Sequence, residues 1–169
     1  EIDCFKLNSI KPGKSEEFTP RTLAYDIETE NIDPSKGKVL SISLYGPGFK
    51  KVLTWKKCKS AESYVEFFKD EGEMIESFVK AVKSFDPDIL VGYFSDGFDL
   101  PFLKTAASRE KVDFNLGLDG SSPKFSRGKI PVARITGIVH ADIYRFIRSV
   151  FAQYMQSETL SLNDVAKEL

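Results

Sequence analysis

The 169 residues carry 41% hydrophobic and 29% charged side chains, which suits one globular domain with a proper core and is too short for two comfortable ones. A net charge of −1 argues against a module that grips nucleic acid through a strongly basic surface, and weighs less against a metal-dependent nuclease, whose centre is itself acidic. No apolar run approaches the ~18–20 residues of a membrane span and nothing at the start reads as a signal peptide, while Cys4 and Cys58 stand apart without metal-ligand spacing, as reduced thiols of an intracellular protein would.

Residues 1 to 21 are mixed and polar, with Lys11-Pro12-Gly13-Lys14 and Thr19-Pro20 as breakers, and read as a lead-in from a preceding domain. The stretch Thr22-Leu23-Ala24-Tyr25-Asp26-Ile27-Glu28-Thr29-Glu30 opens as an apolar run that reads as the first strand, with Asp26 and Glu28 where the run gives way to polar residues. Side chains two apart in a strand share a face, so Asp26 and Glu28 leave the sheet together, a few ångströms apart. Two like charges that close call for something positive between them. A hard divalent cation such as Mg²⁺ takes carboxylate oxygens and keeps positions for water and phosphate. The alternative is an edge strand with two solvated acids.

After a turn at Asn31 to Gly37, Lys38 to Tyr45 alternates and is rich in β-formers. Gly46-Pro47-Gly48 breaks it, and Lys51 to Trp55 follows. Three consecutive strands with tight connections predict an antiparallel meander. Asp70 to Val82 then shows helical spacing, with acids early and lysines later as the helix dipole favours, and Asp86-Pro87-Asp88 ends it. Ile89 to Phe94 reads as a buried strand. A helix follows from about Asp99 to Lys111, so the expected fold is a mixed α/β sheet flanked by helices. Gly117 to Gly137 is marked by Gly, Ser and Pro and predicts a protruding hairpin. Val139 to Tyr144 rejoins the body, a helix runs from about Ile143 to Phe151, and another begins near Leu160 and is still open at Leu169.

The second acidic stretch, Tyr93-Phe94-Ser95-Asp96-Gly97-Phe98-Asp99-Leu100-Pro101, lies between a strand and a helix, where open α/β sheets expose functional groups. Asp99 also fits a helix N-cap, with Pro101 in the first turn, and Asp96 reads as a turn residue beside Gly97.

Taken together these stretches resemble family B DNA polymerases. Asp26-Ile27-Glu28 within Tyr-Asp-Ile-Glu-Thr is similar to their first exonuclease motif. Asp86-Pro87-Asp88-Ile89-Leu90-Val91-Gly92-Tyr93, leading into Phe98-Asp99-Leu100-Pro101-Phe102-Leu103, is similar to the second. Gly120 to Lys124, Val139 to Tyr144 and Leu160 to Ala166 resemble segments of the archaeal branch, in collinear order from about residue 20 to 169.

The resemblance implies a ribonuclease H-like fold and 3′–5′ proofreading of a DNA end with two divalent metals, Mg²⁺ or Mn²⁺. It implies that Asp26 bridges both metals, that Glu28 holds one and orients the attacking water, and that Asp99 serves the second. Implied partners are a single-stranded DNA 3′ end and the polymerase and N-terminal domains of the same parent chain, in the cytoplasm at the nucleoid, with no membrane.

Two departures stand out. The family places an Asn five positions before the second-motif Asp, and here that position is Phe94, an aromatic ring able to stack on a base. The third motif, Tyr-x-x-x-Asp, is not found, since Tyr154 with Glu158 has the spacing but the wrong acid. Residues 22–169 are therefore expected to be an exonuclease domain cut short before that motif, binding metal weakly and cutting slowly or not at all. A non-catalytic ribonuclease H-like scaffold that guides DNA is the rival from another class.

For DNA contact the candidates are Phe94 and Ser95 near the acidic site and Lys124, Arg127 and Lys129 along the hairpin, with Arg134 beside them. His140, the single histidine, reads as a packed residue away from the motifs, and Asp142 as a cap for the next helix. The fourteen phenylalanines mostly follow core spacing.

Overall fold

The computed structural model describes residues 9, 11, 13, 17–59, 62–126, 128, 131–156 and 159–169. Among the described residues before Thr22 none lies in a strand or helix. Strand β1 (Thr22–Thr29) turns Leu23, Tyr25 and Ile27 inward and leaves Asp26 and Glu28 exposed on the opposite face. β2 (Val39–Gly46) and β3 (Phe49–Thr54) complete the expected antiparallel meander. A short β4 (Val65–Phe67), unanticipated from the sequence, joins β3 in parallel.

Helix α1 (Glu71–Phe85) starts where the Asp70 carboxylate accepts the Glu73 N–H, and it stops at Asp86, whose φ of 53° is left-handed. Its inner face buries Met74, Ile75, Phe78, Val79, Val82 and Phe85 against the sheet. Full burial of side chains this size is worth roughly 1.5–3 kcal/mol each. β5 (Ile89–Gly92) ends earlier than the sequence indicates and lies parallel to β1, with Thr22 opposite Ile89. Helix α2 (Asp99–Glu110) packs beside α1 on the same face.

Glu71, at the start of α1, is wholly buried. Its carboxylate accepts the Val39 N–H at 2.7 Å and an Arg109 N–H on each oxygen at 2.9 Å. The start of β2 and the two helices are thus joined at one ion pair.

The expected hairpin is present as β6 (Lys124–Phe125) and β7 (Ala133–Arg134), paired antiparallel. β8 (Val139–Asp142) runs parallel to β5, and the main sheet has the order β4-β3-β2-β1-β5-β8. The helix read over Ile143 to Phe151 resolves into α3 (Ile143–Phe146) followed by a π-type segment at Ile147–Phe151. α4 (Leu162–Glu168) is capped by Ser161 and held to β5 by the Tyr93 hydroxyl, which donates to the Leu160 carbonyl at 2.6 Å. The result is the mixed α/β sheet flanked by helices that the sequence predicts. Among the described residues no helix is long and apolar enough to cross a membrane.

Candidate functional site

β5 and β8 end together at Gly92 and Asp142, while their parallel neighbour β1 runs on past Ala24, its last residue paired with β5, and carries Asp26 and Glu28 on that extension. Asp26 and Glu28 face Ser43 and Ser41 of β2 across the ladder, and these short neighbours leave the carboxylates room. A register shift between Glu28 and Thr29 loosens the strand just past them. Partial desolvation and the adjacent Glu28 charge raise the Asp26 carboxyl above the usual range. Asp26 also borders an apolar groove of about 410 Å³, lined by Ala24, Tyr45, Val52, Tyr93 and Leu162 among others.

Asp99 comes from the turn after β5. It is the first residue of α2 and not its cap. The capping position falls to Phe98, which makes no side-chain cap bond. The capping role that the sequence allowed for Asp99 is therefore unfilled, and its carboxyl is free to face β1. Asp99 is only 3% exposed. Burial first, and the Asp26 charge second, push it up to about 7, against the opposing pull of the backbone N–H groups of Asp99 and Ile27. That sensitivity to both Asp26 and Ile27 brings the second acidic stretch against the first. None of the three acids has an ion-pair partner among the described residues.

The turn itself is unusual. Phe94 has a φ of 58°, a left-handed conformation that Asn and Gly tolerate and a bulky side chain does not favour. The Phe94 carbonyl accepts the N–H groups of Gly97 and Phe98, at 3.1 and 3.0 Å. Its ring is 41% exposed, lies edge-on to Tyr144, and rests where a Cβ at Gly97 would meet it at 2.6 Å.

Beneath the turn is a buried polar cluster that the sequence did not reveal. Asp142 does not cap α3. Its carboxylate accepts the N–H groups of Phe94 and Asp96, at 2.9 and 3.1 Å. Asp96 is not an exposed turn residue. It is 2% exposed, accepts the Ala133 N–H at 2.7 Å and lies 3.3 Å from Arg145.

His140 Nε2 lies 3.3 Å from the Tyr25 hydroxyl and 3.1 Å from the Ser95 hydroxyl. Its Nδ1 is 3.2 Å from the Asp96 carboxylate without the alignment of a hydrogen bond. Burial lowers the His140 imidazole, and the Asp96 and Asp142 charges oppose that. His140 is packed, as expected, but it sits under the second acidic stretch and not away from it. Its only sequence signal is alternation within β8.

The DNA-contact candidates separate. Phe94 is on the surface. Ser95 is 0% exposed, and its hydroxyl is engaged with His140, so it faces the interior and not a DNA strand. Lys124 is exposed on β6 and paired with Arg134 through the backbone. Arg127 and Lys129 lie outside the described residues, as does Glu158.

Among the described residues no three or more His, Cys, Asp or Glu side chains form a ready-made cation cage. The donor set nevertheless fits a hard divalent cation. Asp26 and Asp99 are held in one field of negative charge, Glu28 adds to it, and all the donors are oxygens.

Comparison with known proteins agrees with this fold. The family model described as DNA polymerase family B, exonuclease domain, matches residues 1–165. A DNA polymerase of Pyrococcus glycovorans is 40% identical over 132 residues, which are 76% of this chain and 17% of that protein. The DNA polymerase of Thermococcus kodakarensis is 38% identical over 132 residues, 76% of this chain and 8% of that protein. The solved structure of the family B DNA polymerase from the hyperthermophilic archaeon Pyrobaculum calidifontis is similar with a TM-score of 0.69 at 28% identity, over 92% of this chain and 19% of that one. The chain therefore spans less than a fifth of the length of these relatives. With its mixed sheet and its acids on β1 and at the head of α2, it belongs to the exonuclease domain of the family B DNA polymerases, and its relatives are archaeal.

Proposed function

We propose that this domain removes nucleotides from a single-stranded DNA 3′ end, as the proofreading part of an intracellular polymerase whose other domains lie in the same parent chain. The observation that carries this reading is Asp99, a nearly buried carboxyl in the field of the Asp26 charge with no ion-pair partner among the described residues. Asp26, Glu28 and Asp99 would hold Mg²⁺ or Mn²⁺. Two such ions, when bound, activate a water and stabilise the charge that develops on the phosphate and the leaving 3′ oxygen. Asp26, whose charge acts on Asp99 and is itself acted on by Glu28, would be the acid shared between the ions, Glu28 would orient the water, and Asp99 would serve the opposite side. Phe94 offers the strand an exposed ring, the apolar groove beside Asp26 gives the terminal base a surface, and Lys124 meets the backbone from the hairpin.

We read the 169 residues as a weak nuclease on their own, since three acids from β1 and α2 do not by themselves close a cage. That same observation favours a second reading, a non-catalytic scaffold that guides DNA. The test is Mn²⁺-dependent degradation of a 3′-labelled single strand, by this chain and by a longer polymerase chain carrying it, with Asp26→Ala and Glu28→Ala beside each. Activity in the longer chain that both substitutions abolish supports the nuclease. A longer chain that is folded and inert establishes the scaffold.

A further inference from the structure

We propose that Asp142 is a positioning residue for the candidate metal site: its carboxylate fixes the shape of the β5–α2 turn and, through that turn, the place of Asp99. The role rests on the metal reading above. Asp142 closes β8 directly opposite Gly92, the last residue of β5, so the turn begins beside it. Its two oxygens are divided between two amides of that turn, Oδ1 taking the Phe94 N–H at 2.9 Å and Oδ2 the Asp96 N–H at 3.1 Å. Although Asp142 stands at the capping position of α3, it makes no side-chain bond to that helix. Its carboxylate is committed to the turn.

The turn requires such a partner because Phe94 is left-handed. A strained backbone of this kind persists only where its surroundings over-determine it, and one carboxylate gripping the amides on either side of Ser95 does so. From there the path to Asp99 has no slack. The Phe94 carbonyl accepts from Gly97 and Phe98, and the Ser95 carbonyl accepts the Leu100 N–H at 3.1 Å. The turn thus passes directly into the first turn of α2. Asp96 braces the same segment from below, against β7 through Ala133 and against α3 through Arg145. Release of the two amides would let the head of α2 rotate and carry Asp99 away from Asp26.

The test combines amide hydrogen exchange by NMR with a Mn²⁺ titration followed by water-proton relaxation, on the 169-residue chain. Asp142→Asn keeps one acceptor but presents an NH₂ group to the other amide. Exchange at residues 94 and 96 should accelerate while Leu23–Ile27 and Met74–Val82 stay protected, and Mn²⁺ affinity should fall roughly 10–100-fold, as for other residues that orient metal ligands. Phe94→Gly relieves the backbone strain, so in the double variant most of the lost affinity should return. A chain that folds only with Phe94→Gly still answers, by comparing Asp142 with Asp142→Asn in that background. Unchanged Mn²⁺ affinity with opened amides overturns the positioning role, and so does a loss that Phe94→Gly leaves unrepaired. A wild-type domain whose amides are protected but whose Mn²⁺ binding, alone and within the longer polymerase chain, is unchanged by Asp26→Ala overturns the metal reading itself.

Discussion

Asp99 at the head of α2 and Asp26 on β1 repel one another, and this repulsion adds to burial in lifting the Asp99 carboxyl to about 7. An unfolded Asp titrates near 3.9. Between about pH 4 and 7 the folded chain therefore holds a proton at Asp99 that the unfolded chain has lost. The resulting stability is fully present below about pH 4 and disappears as pH rises through 7. In chelator, the stability of Asp99→Asn relative to wild type should rise across that window, by on the order of a few kcal/mol. Urea unfolding of both proteins at pH 4, 6 and 8 measures it, and a constant difference refutes the assignment.

Divalent metal should reverse that trend. Mn²⁺ requires the ionised carboxylates, so at pH 8 it should raise the melting temperature of the wild type and leave Asp26→Ala and Asp99→Asn unmoved. At 100 times its dissociation constant the gain is about 2.7 kcal/mol. Differential scanning calorimetry with Mn²⁺ and then with EDTA reads the effect and its removal.

Phe94→Asn places a residue that accepts the left-handed region where a bulky ring now stands. Relief of that conformation contributes about 1 kcal/mol and loss of the edge-on contact with Tyr144 removes about 0.5–1.5 kcal/mol, so stability should change by less than about 1 kcal/mol. If the ring also stacks on a base, affinity for a single strand should fall by roughly 1–3 kcal/mol in the same variant. Chemical denaturation and fluorescence anisotropy separate the two effects.

Arg109→Ala leaves the buried Glu71 carboxylate with the Val39 N–H and with Lys38 at 4.0 Å. Removing one partner of a buried pair costs about 3–5 kcal/mol, and the partial exposure of Arg109 places this case at the lower end. Arg109→Ala should lower the urea midpoint far more than Lys80→Ala, whose partner Glu76 is on the surface.

What could be read from the sequence was local. Alternation in Thr22–Thr29 placed Asp26 and Glu28 on one face, and the spacing of Met74, Phe78 and Val82 marked α1. β4 was not legible because Val65–Phe67 is short and only half-buried, so its pairing with β3 defines it. Asp96 and Asp142 carry ordinary turn and cap signals. Their real partners, Ala133, Arg145 and the amides of the β5–α2 turn, are far away in sequence. Burial of Ser95 and the left-handed state of Phe94 follow from the same distant contacts, and neither residue type announces them.

The alternation of β1 serves two ends at once. The odd positions Leu23, Tyr25 and Ile27 build the interior, and the even positions Asp26 and Glu28 build the acidic lip. A one-residue deletion between Leu23 and Glu28 would exchange these sets, driving carboxylates under the helices and aliphatic groups into water. The face on which the two acids stand is therefore set by the same register that buries Leu23, Tyr25 and Ile27, so the acidic lip cannot change sides without taking the core with it.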